Sequence, residues 1–364
     1  MSLKFDITSC IRATSKFSTC TKCEDICPVD TIGFVDNIPS FTPSECVDCG
    51  ACIGVCPSSS FGLEEYKGVD FFFDFLGAKS DTLSCKENLP CLAWLSVEEL
   101  LALALNKETK VELGYCKSCE LGTRLYTQIV HNIEEANFLL SSFSKKVLEV
   151  SFDAPEIQKV QEEPSRRSFL SHINIKKAMQ AKEKFEEKVD EDDLKSFSLD
   201  FADISKLKEK SIPNKRKLLL TSLKRLEKPS QYEVLPQEEI SFISQKYVNE
   251  NCTNCQICYR ICPTGALSSD FKFSLINFDA VACIKCHLCH DVCEPRAIQL
   301  QVGFENQELF EPRKRQLIAF DIRRCNECGN HFTYHDGEQM CPRCQIEEEE
   351  SLFLHQNAKT LLNL

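Results

Sequence analysis

The stretch Cys252-Thr253-Asn254-Cys255-Gln256-Ile257-Cys258-Tyr259-Arg260-Ile261-Cys262-Pro263 is followed, twenty residues after Cys262, by Cys283-Ile284-Lys285-Cys286-His287-Leu288-Cys289-His290-Asp291-Val292-Cys293. Each half spaces three thiols two residues apart and adds a fourth three residues further on. Close thiolate triplets with a trailing fourth are the ligand spacing of cubane iron–sulfur clusters. Structural zinc takes paired cysteines instead. The stretch is therefore read as iron–sulfur sequence.

The pattern returns near the N-terminus with one change. Cys20-x2-Cys23-x3-Cys27-Pro28 precedes Cys46-x2-Cys49-x2-Cys52-x3-Cys56-Pro57 by eighteen residues. Phe17 stands where the first cysteine belongs, and the nearest spare thiol is Cys10. With Cys10 as ligand, the first gap becomes Cys10-x9-Cys20, spanned by a longer loop. The alternative is a three-ligated or lost cluster, with Cys10 a buried apolar thiol.

Both stretches resemble bacterial two-cluster ferredoxins, over about sixty residues each. In that family three close cysteines hold one cubane and the fourth crosses to the other. The resemblance implies four [4Fe-4S] clusters. Their ligands would be Cys10, Cys20, Cys23 and Cys56; Cys27, Cys46, Cys49 and Cys52; Cys252, Cys255, Cys258 and Cys293; and Cys262, Cys283, Cys286 and Cys289. It also implies an α+β fold in which two interleaved halves are related by a pseudo-twofold. Pro28, Pro57 and Pro263 fit the family, whereas Glu294 before Pro295 departs from it.

Near the other end, Cys325-x2-Cys328 and Cys341-x2-Cys344 are separated by twelve residues. Two such knuckles can close a tetrahedral four-thiolate site. This resembles zinc ribbons and the rubredoxin-like module that ends rubrerythrins, and both zinc and iron accept that ligand set. Zinc is the expectation, since a terminal ribbon needs only a structural role. His331 and His335 in the loop are read as surface residues.

Four cysteines remain: Cys85, Cys91, Cys116 and Cys119. The segment around them reads as βαβ, with an apolar run at 71–76, short strands at 82–85 and 89–92, a helix at 97–105 and a strand at 111–115. Ser96 with Glu99 three residues on is a capping-box signature. Cysteines at the ends of neighbouring strands converge, as ligand sites in open α/β sheets do. Zinc, [2Fe-2S] and [4Fe-4S] are the candidate occupants; the alternatives are a redox-active Cys116–Cys119 pair or four core thiols. Leu89-Pro90-Cys91-Leu92 before a helix, with a CxxC after the next strand, is similar to accessory ferredoxin-type proteins of bacterial redox operons.

The chain thus divides into an N-terminal ferredoxin-like domain (1–66), a small α/β module (67–152), a charged helical linker (153–245), a second ferredoxin-like domain (246–312), a ribbon (313–346) and a tail (347–364). The class is α+β. Apolar residues at helical spacing mark a helix at 122–143, and 147–152 reads as a strand. Stretch 176–189 is an exposed helix or a mobile linker. The basic residues of 212–220, and the acidic run 347–350, are read as solvated surface. Ser165-Arg166-Arg167-Ser168-Phe169-Leu170 matches the core of a twin-arginine export signal, but it is internal and no apolar stretch follows it.

Net charge is −12, which disfavours nucleic acid as a partner. Twenty-four cysteines in metal spacing argue for a reducing cytoplasm rather than a disulfide scaffold. Neither a signal region nor a run approaching the roughly eighteen residues of a membrane span is present. GxGxxG and GxxxxGK[ST] are absent, and the cysteines are accounted for as ligands, so no catalytic site is expected. The expectation is an electron relay to or from a cytoplasmic dehydrogenase or hydrogenase. An accessory or maturation factor for a metalloenzyme, such as a molybdenum formate dehydrogenase, is the alternative. A redox sensor of gene expression fits the acidity less well.

Overall fold

The computed structural model describes residues 3–152, 210–334 and 336–361. The Arg166-Arg167 motif, the stretch 176–189 and His335 lie outside the described residues.

The N-terminal unit is closed by its own ends: β1 (Leu3–Phe5) pairs antiparallel with β4 (Phe61–Leu63), Leu3 opposite Leu63. A short helix α1 (Ile11–Thr14) follows, then α2 (Lys22–Ile26), which carries Cys23. Between the two cysteine motifs, β2 (Ile32–Val35) and β3 (Ile38–Phe41) form a hairpin. Its turn residues Asp36 and Asn37 both have positive φ, 49° and 66°, as a type I′ turn requires. The second motif leads into α3 (Ala51–Val55).

The central module is a parallel sheet in the order β5 (Thr82–Leu83), β6 (Thr109–Glu112), β7 (Leu148–Ser151). Helices α5 (Val97–Asn106) and α6 (Gly122–Ser141) make the crossovers, and α4 (Gly68–Gly77) precedes the sheet. The apolar run at 71–76 is part of α4, with Phe72, Phe73 and Phe75 buried. The expected capping box is formed: Ser96 Oγ accepts from the Glu99 amide, and Glu99 Oε2 accepts from the Ser96 amide at 2.9 Å. No strand forms at 89–92; Cys91 instead precedes a 3-10 turn, Leu92–Trp94. Pro90 lacks the amide a ladder needs.

Helix α7 (Asn214–Leu223) packs on α5 and α4 and corrects one expectation. Lys215 and Arg216 are not solvated but buried, Arg216 completely. Their charge is compensated by the buried Glu98 of α5, whose carboxylate lies 2.6 Å from Arg216 Nε and 3.9 Å from Lys215 Nζ. Sequence periodicity could not show this, because the partner lies over a hundred residues away.

The C-terminal unit repeats the N-terminal plan. Strand β8 (Val234–Pro236) pairs with β13 (Gly303–Glu305) outside it. Inside, β9 (Lys246–Val248) pairs with β12 (Ile298–Leu300), as β1 does with β4. Strands β10 (Leu267–Ser268) and β11 (Leu275–Asp279) supply the inner hairpin, and α8 (Ile257–Ile261) and α9 (Leu288–Asp291) lie within the two motifs and carry Cys258 and Cys289. After α10 (Gln307–Phe310), β14 (Lys314–Ala319) joins β11 in the same sheet. The ribbon hairpin β15 (Asp321–Arg324) and β16 (His331–Tyr334) precedes α11 (Pro342–Leu361), on which the acidic run 347–350 is exposed. One continuous apolar core runs through the two ferredoxin-type units and the module between them.

Candidate metal centres

Three small cavities are each rimmed by one of the expected cysteine sets. Cys10, Cys20, Cys23 and Cys56 surround one. Cys262, Cys283, Cys286 and Cys289 surround the second. Cys252, Cys255, Cys258 and Cys293 surround the third. The walls between the thiols are largely apolar: Phe34 and Phe61, Leu267 and Phe278, Ile276 and Ile298. Four convergent thiols with apolar walls fit the chemistry of a thiolate-held cluster. Cys10 lines the first cavity, whereas Phe17 is 61 % exposed and outside it.

Cys27, Cys46, Cys49 and Cys52 also converge. Burial raises the pKa of Cys49; the Ala51 amide opposes the rise and the Cys27 and Cys46 thiolates add to it. In the neighbouring set, burial pushes Cys23 up to about 12, with Cys20, Cys56 and Cys10 contributing. Cys258 is likewise pushed to about 12 by burial, then by Cys289, Cys252 and Cys255. Such thiols lose their protons when they take a metal, so loading is coupled to pH.

The loops that aim these thiols share an unusual backbone. The residues just before and just after the middle cysteine of a triplet are left-handed: Asp48 and Gly50, Asn254 and Gln256, Lys285 and His287, with φ between 44° and 72°. The irregular first N-terminal motif lacks this pair, and Thr21 there has φ −123°. The third residue after each final cysteine is left-handed in all four motifs: Asp30, Ser59, Gly265 and Arg296. The feature thus repeats within and between the two units.

Sequence reading missed the groups around the sulfurs. The amides of Ser60 and Ala297, each four residues after a final cysteine, donate to Cys56 Sγ and Cys293 Sγ at 3.2 Å. Lys215 Nζ donates to the Cys56 carbonyl at 2.6 Å. Arg216 donates to the carbonyls of Cys283, Val281 and Phe242 at 3.0, 2.5 and 2.8 Å. Arg124 reaches the Cys27 carbonyl and pairs with Asp30. Side chains from α6 and α7 thus hold the backbone beside three of the sets.

The ribbon cysteines Cys325, Cys328, Cys341 and Cys344 bring their sulfurs within 4.8 Å of one another, a single-ion spacing. Backbone amides, first that of Cys328, lower Cys325 to about 6. Hydrogen bonds from the other three cysteines, with burial, raise Cys344. His331 is exposed, as expected. Cys85 and the Cys116–Cys119 turn follow β5 and β6, and Cys91 precedes the 3-10 turn. None of the twenty-four cysteines is paired in a disulfide.

No helix among the described residues is long and apolar enough to cross a membrane. A 4Fe-4S dicluster domain matches residues 17–60, and a 4Fe-4S binding domain matches residues 246–268. The chain is 41% identical over 44 residues to a "Ferredoxin 7Fe" of Hydrogenibacillus schlegelii, covering 12% of this chain and 56% of the relative. It is 40% identical over 65 residues to a ferredoxin of Streptomyces griseus, covering 15% of this chain and 62% of that one. A Rickettsia felis ferredoxin is 43% identical over 37 residues, 10% of this chain and 34% of its own length. The matches therefore span a little over half, or less, of these small relatives. No solved structure matches the chain. Sequence, fold and comparisons agree that the chain carries tandem ferredoxin-like iron–sulfur domains and ends in a four-cysteine metal site.

Proposed function

We propose that this chain is a cytoplasmic electron carrier that exchanges single electrons with a redox enzyme of the dehydrogenase or hydrogenase type. Its four ferredoxin-type sets would hold four [4Fe-4S] clusters, with the ligand sets that the ferredoxin resemblance implies, and the ribbon one zinc or iron. The observation that carries this reading is the docking of the two units set to set. Ile11, beside Cys10, packs on Ile284 and Leu288 of the Cys283–Cys293 motif. The Thr19 amide, beside Cys20, donates to Asp291 at 3.0 Å.

When bound, such clusters supply one-electron sites whose potentials follow burial, charge and hydrogen bonds to sulfur. The protein's own part is to hold those sites close together. Ser60 and Ala297 point amides at sulfur, Arg216 and Lys215 fix the backbone beside Cys283 and Cys56, and a shared apolar core joins the units. The Asn254 side chain ties the last set to Thr333 of the ribbon at 3.0 Å.

The test uses a partner enzyme co-purified with this protein and then isolated from a strain lacking it. Full metal content and dye-linked activity, with loss of coupling to the natural acceptor that is restored by adding this protein, supports the carrier. A metal-deficient enzyme that stays inactive with dyes would show that the protein serves assembly instead.

A further inference from the structure

The central cysteines, like the ferredoxin sets, do not draw together within the 4.8 Å that the ribbon sulfurs do. Strands β5 and β6 are parallel neighbours, with Leu83 opposite Val111. Cys85 follows the end of β5, and Cys116 and Cys119 bound the 3-10 turn after β6, so three thiols leave one edge of the sheet. The loop that returns the chain to Cys91 is pinned: the Asn88 side chain accepts from the Ser84 amide at 3.1 Å and donates to the Thr82 carbonyl at 2.8 Å.

A single tetrahedral ion with metal–sulfur bonds of about 2.3 Å needs its sulfurs roughly 3.8 Å apart. Among the described residues only the ribbon gathers three or more such ligand atoms within 4.8 Å. The central four are wider than that, yet they feel one another. Burial raises Cys116 to about 11, with the Cys85 and Cys119 thiolates adding to it. Burial raises Cys91 to about 12, against the Ala93 amide and with help from Cys49, then Cys116 and Cys85. A cubane, with one thiolate on each of four irons, spreads its sulfurs to about 6 Å and so suits the wider set.

The Cys49 contribution to Cys91 reflects a built contact. A Cβ on Gly54 would lie 2.3 Å from the Ala93 carbonyl oxygen, and one on Gly50 would lie 2.5 Å from Trp94 Cδ1. The segment immediately after Cys91 therefore rests on bare backbone of the Cys49 loop. The cysteine motif does not itself demand glycine there, since the corresponding places after Cys286 and Cys289 hold His287 and Asp291.

We propose that Cys85, Cys91, Cys116 and Cys119 hold a fifth [4Fe-4S] cluster, placed against the Cys27–Cys46–Cys49–Cys52 set and extending the line of sites by one. Its role as a terminus rests on the carrier reading above; its existence does not. Transfer across the contact is a one-electron exchange in which the donor cluster is oxidised and the acceptor reduced, with no bond or proton moved. The five sets then run from the central module through the N-terminal unit to the C-terminal one. Outside the ribbon, the solvent-exposed cysteines are Cys119 and Cys255, one at each end of that line.

The test is made on the full chain, reconstituted without oxygen. Iron, acid-labile sulfide and zinc are measured for the parent, for Cys119→Ser at the exposed position and for Cys91→Ala. Each variant should lose about four iron and four sulfide, or about one iron if a three-iron form survives, with zinc unchanged. In the reduced parent, magnetic coupling should broaden the spectrum of the neighbouring cluster, and the broadening should vanish in both variants. Loss of one zinc, loss of only two iron, or unchanged iron would overturn the proposal. Thiol labelling of the loaded parent guards against variants that misfold: the four cysteines should stay protected until iron is removed, and free labelling of all four would equally overturn it. A carrier that fails to couple to any enzyme leaves these metal counts unaffected.

Discussion

After the middle cysteine of its second motif the N-terminal unit has Gly50, and before the last it has Gly54 two residues earlier; the C-terminal unit has His287 and Asp291 in those places. Gly50 and His287 are both left-handed, with φ 72° and 60°. The turn therefore accepts a side chain, although such residues are uncommon there. Glycine in the N-terminal unit is required by space, because Ala93 and Trp94 of the central module fill it. The C-terminal unit turns the same face to a different neighbour. Asp291 accepts from Thr19, and Ile284 and Leu288 cover Ile11 of the N-terminal unit.

The second motif of each unit is thus its docking face, and the residues between ligands choose the neighbour. Cysteine spacing is kept for the metal, while the positions between cysteines set how the units join. Sites are brought next to one another because each unit docks through the loop that carries its ligands.

The comparison is broken most severely at α7, where adjacent residues hold different units. Arg216→Met would leave Glu98 and the carbonyls of Val281, Cys283 and Phe242 without their donor. Removing one partner of a buried charge pair costs about 3–5 kcal/mol. Lys215→Met frees chiefly the Cys56 carbonyl and should cost about 1–3 kcal/mol. Anaerobic denaturation of the loaded protein, followed by cluster absorbance and by fluorescence of Trp94, the chain's one tryptophan, would rank the two. Equal losses would mean that the C-terminal unit is not the more tightly held.

How far this was legible follows from range in sequence. The two cysteine motifs, the Ser96–Glu99 capping box and the parallel strands around α5 and α6 are local patterns, and local patterns were readable. Cys10 stood out as the one spare thiol near the gap, and it lines one cavity with Cys20, Cys23 and Cys56. Burial of Lys215 and Arg216 was not, since Glu98 and the carbonyl of Cys283 come from distant segments. The steric need for Gly54 was equally hidden, because the atom it avoids belongs to Ala93.

The irregular ligand offers a sharper contrast between the units. Cys10→Ala should convert the N-terminal Cys20–Cys23–Cys56 site to a three-iron form, a loss of about one iron, visible in the oxidised protein. The C-terminal sites should be unchanged. Adding Phe17→Cys should not restore the iron, because Phe17 is 61 % exposed and lies off the cavity that Cys10 lines. Unchanged iron in Cys10→Ala would leave Cys10 as packing alone.

The finest difference concerns hydroxyls two residues past two of the final cysteines. Ser58 Oγ lies 3.7 Å from Cys56 Sγ, and Thr264 Oγ1 lies 3.8 Å from Cys262 Sγ. A hydroxyl that donates to sulfur favours the more negative, reduced state, so its removal lowers the potential. A weak hydrogen bond of about 0.5 kcal/mol corresponds to roughly 20 mV for one electron. Ser58 is also bound to Ser60 Oγ at 2.9 Å, which divides its donor, whereas Thr264 is buried against its sulfur. Thr264→Val should therefore lower one potential by about 20 mV, and Ser58→Ala should lower another by about half as much. Redox titration followed by spectroscopy of each cluster reads both shifts. A larger effect from Ser58→Ala would show that the hydroxyl in the N-terminal unit serves sulfur rather than Ser60.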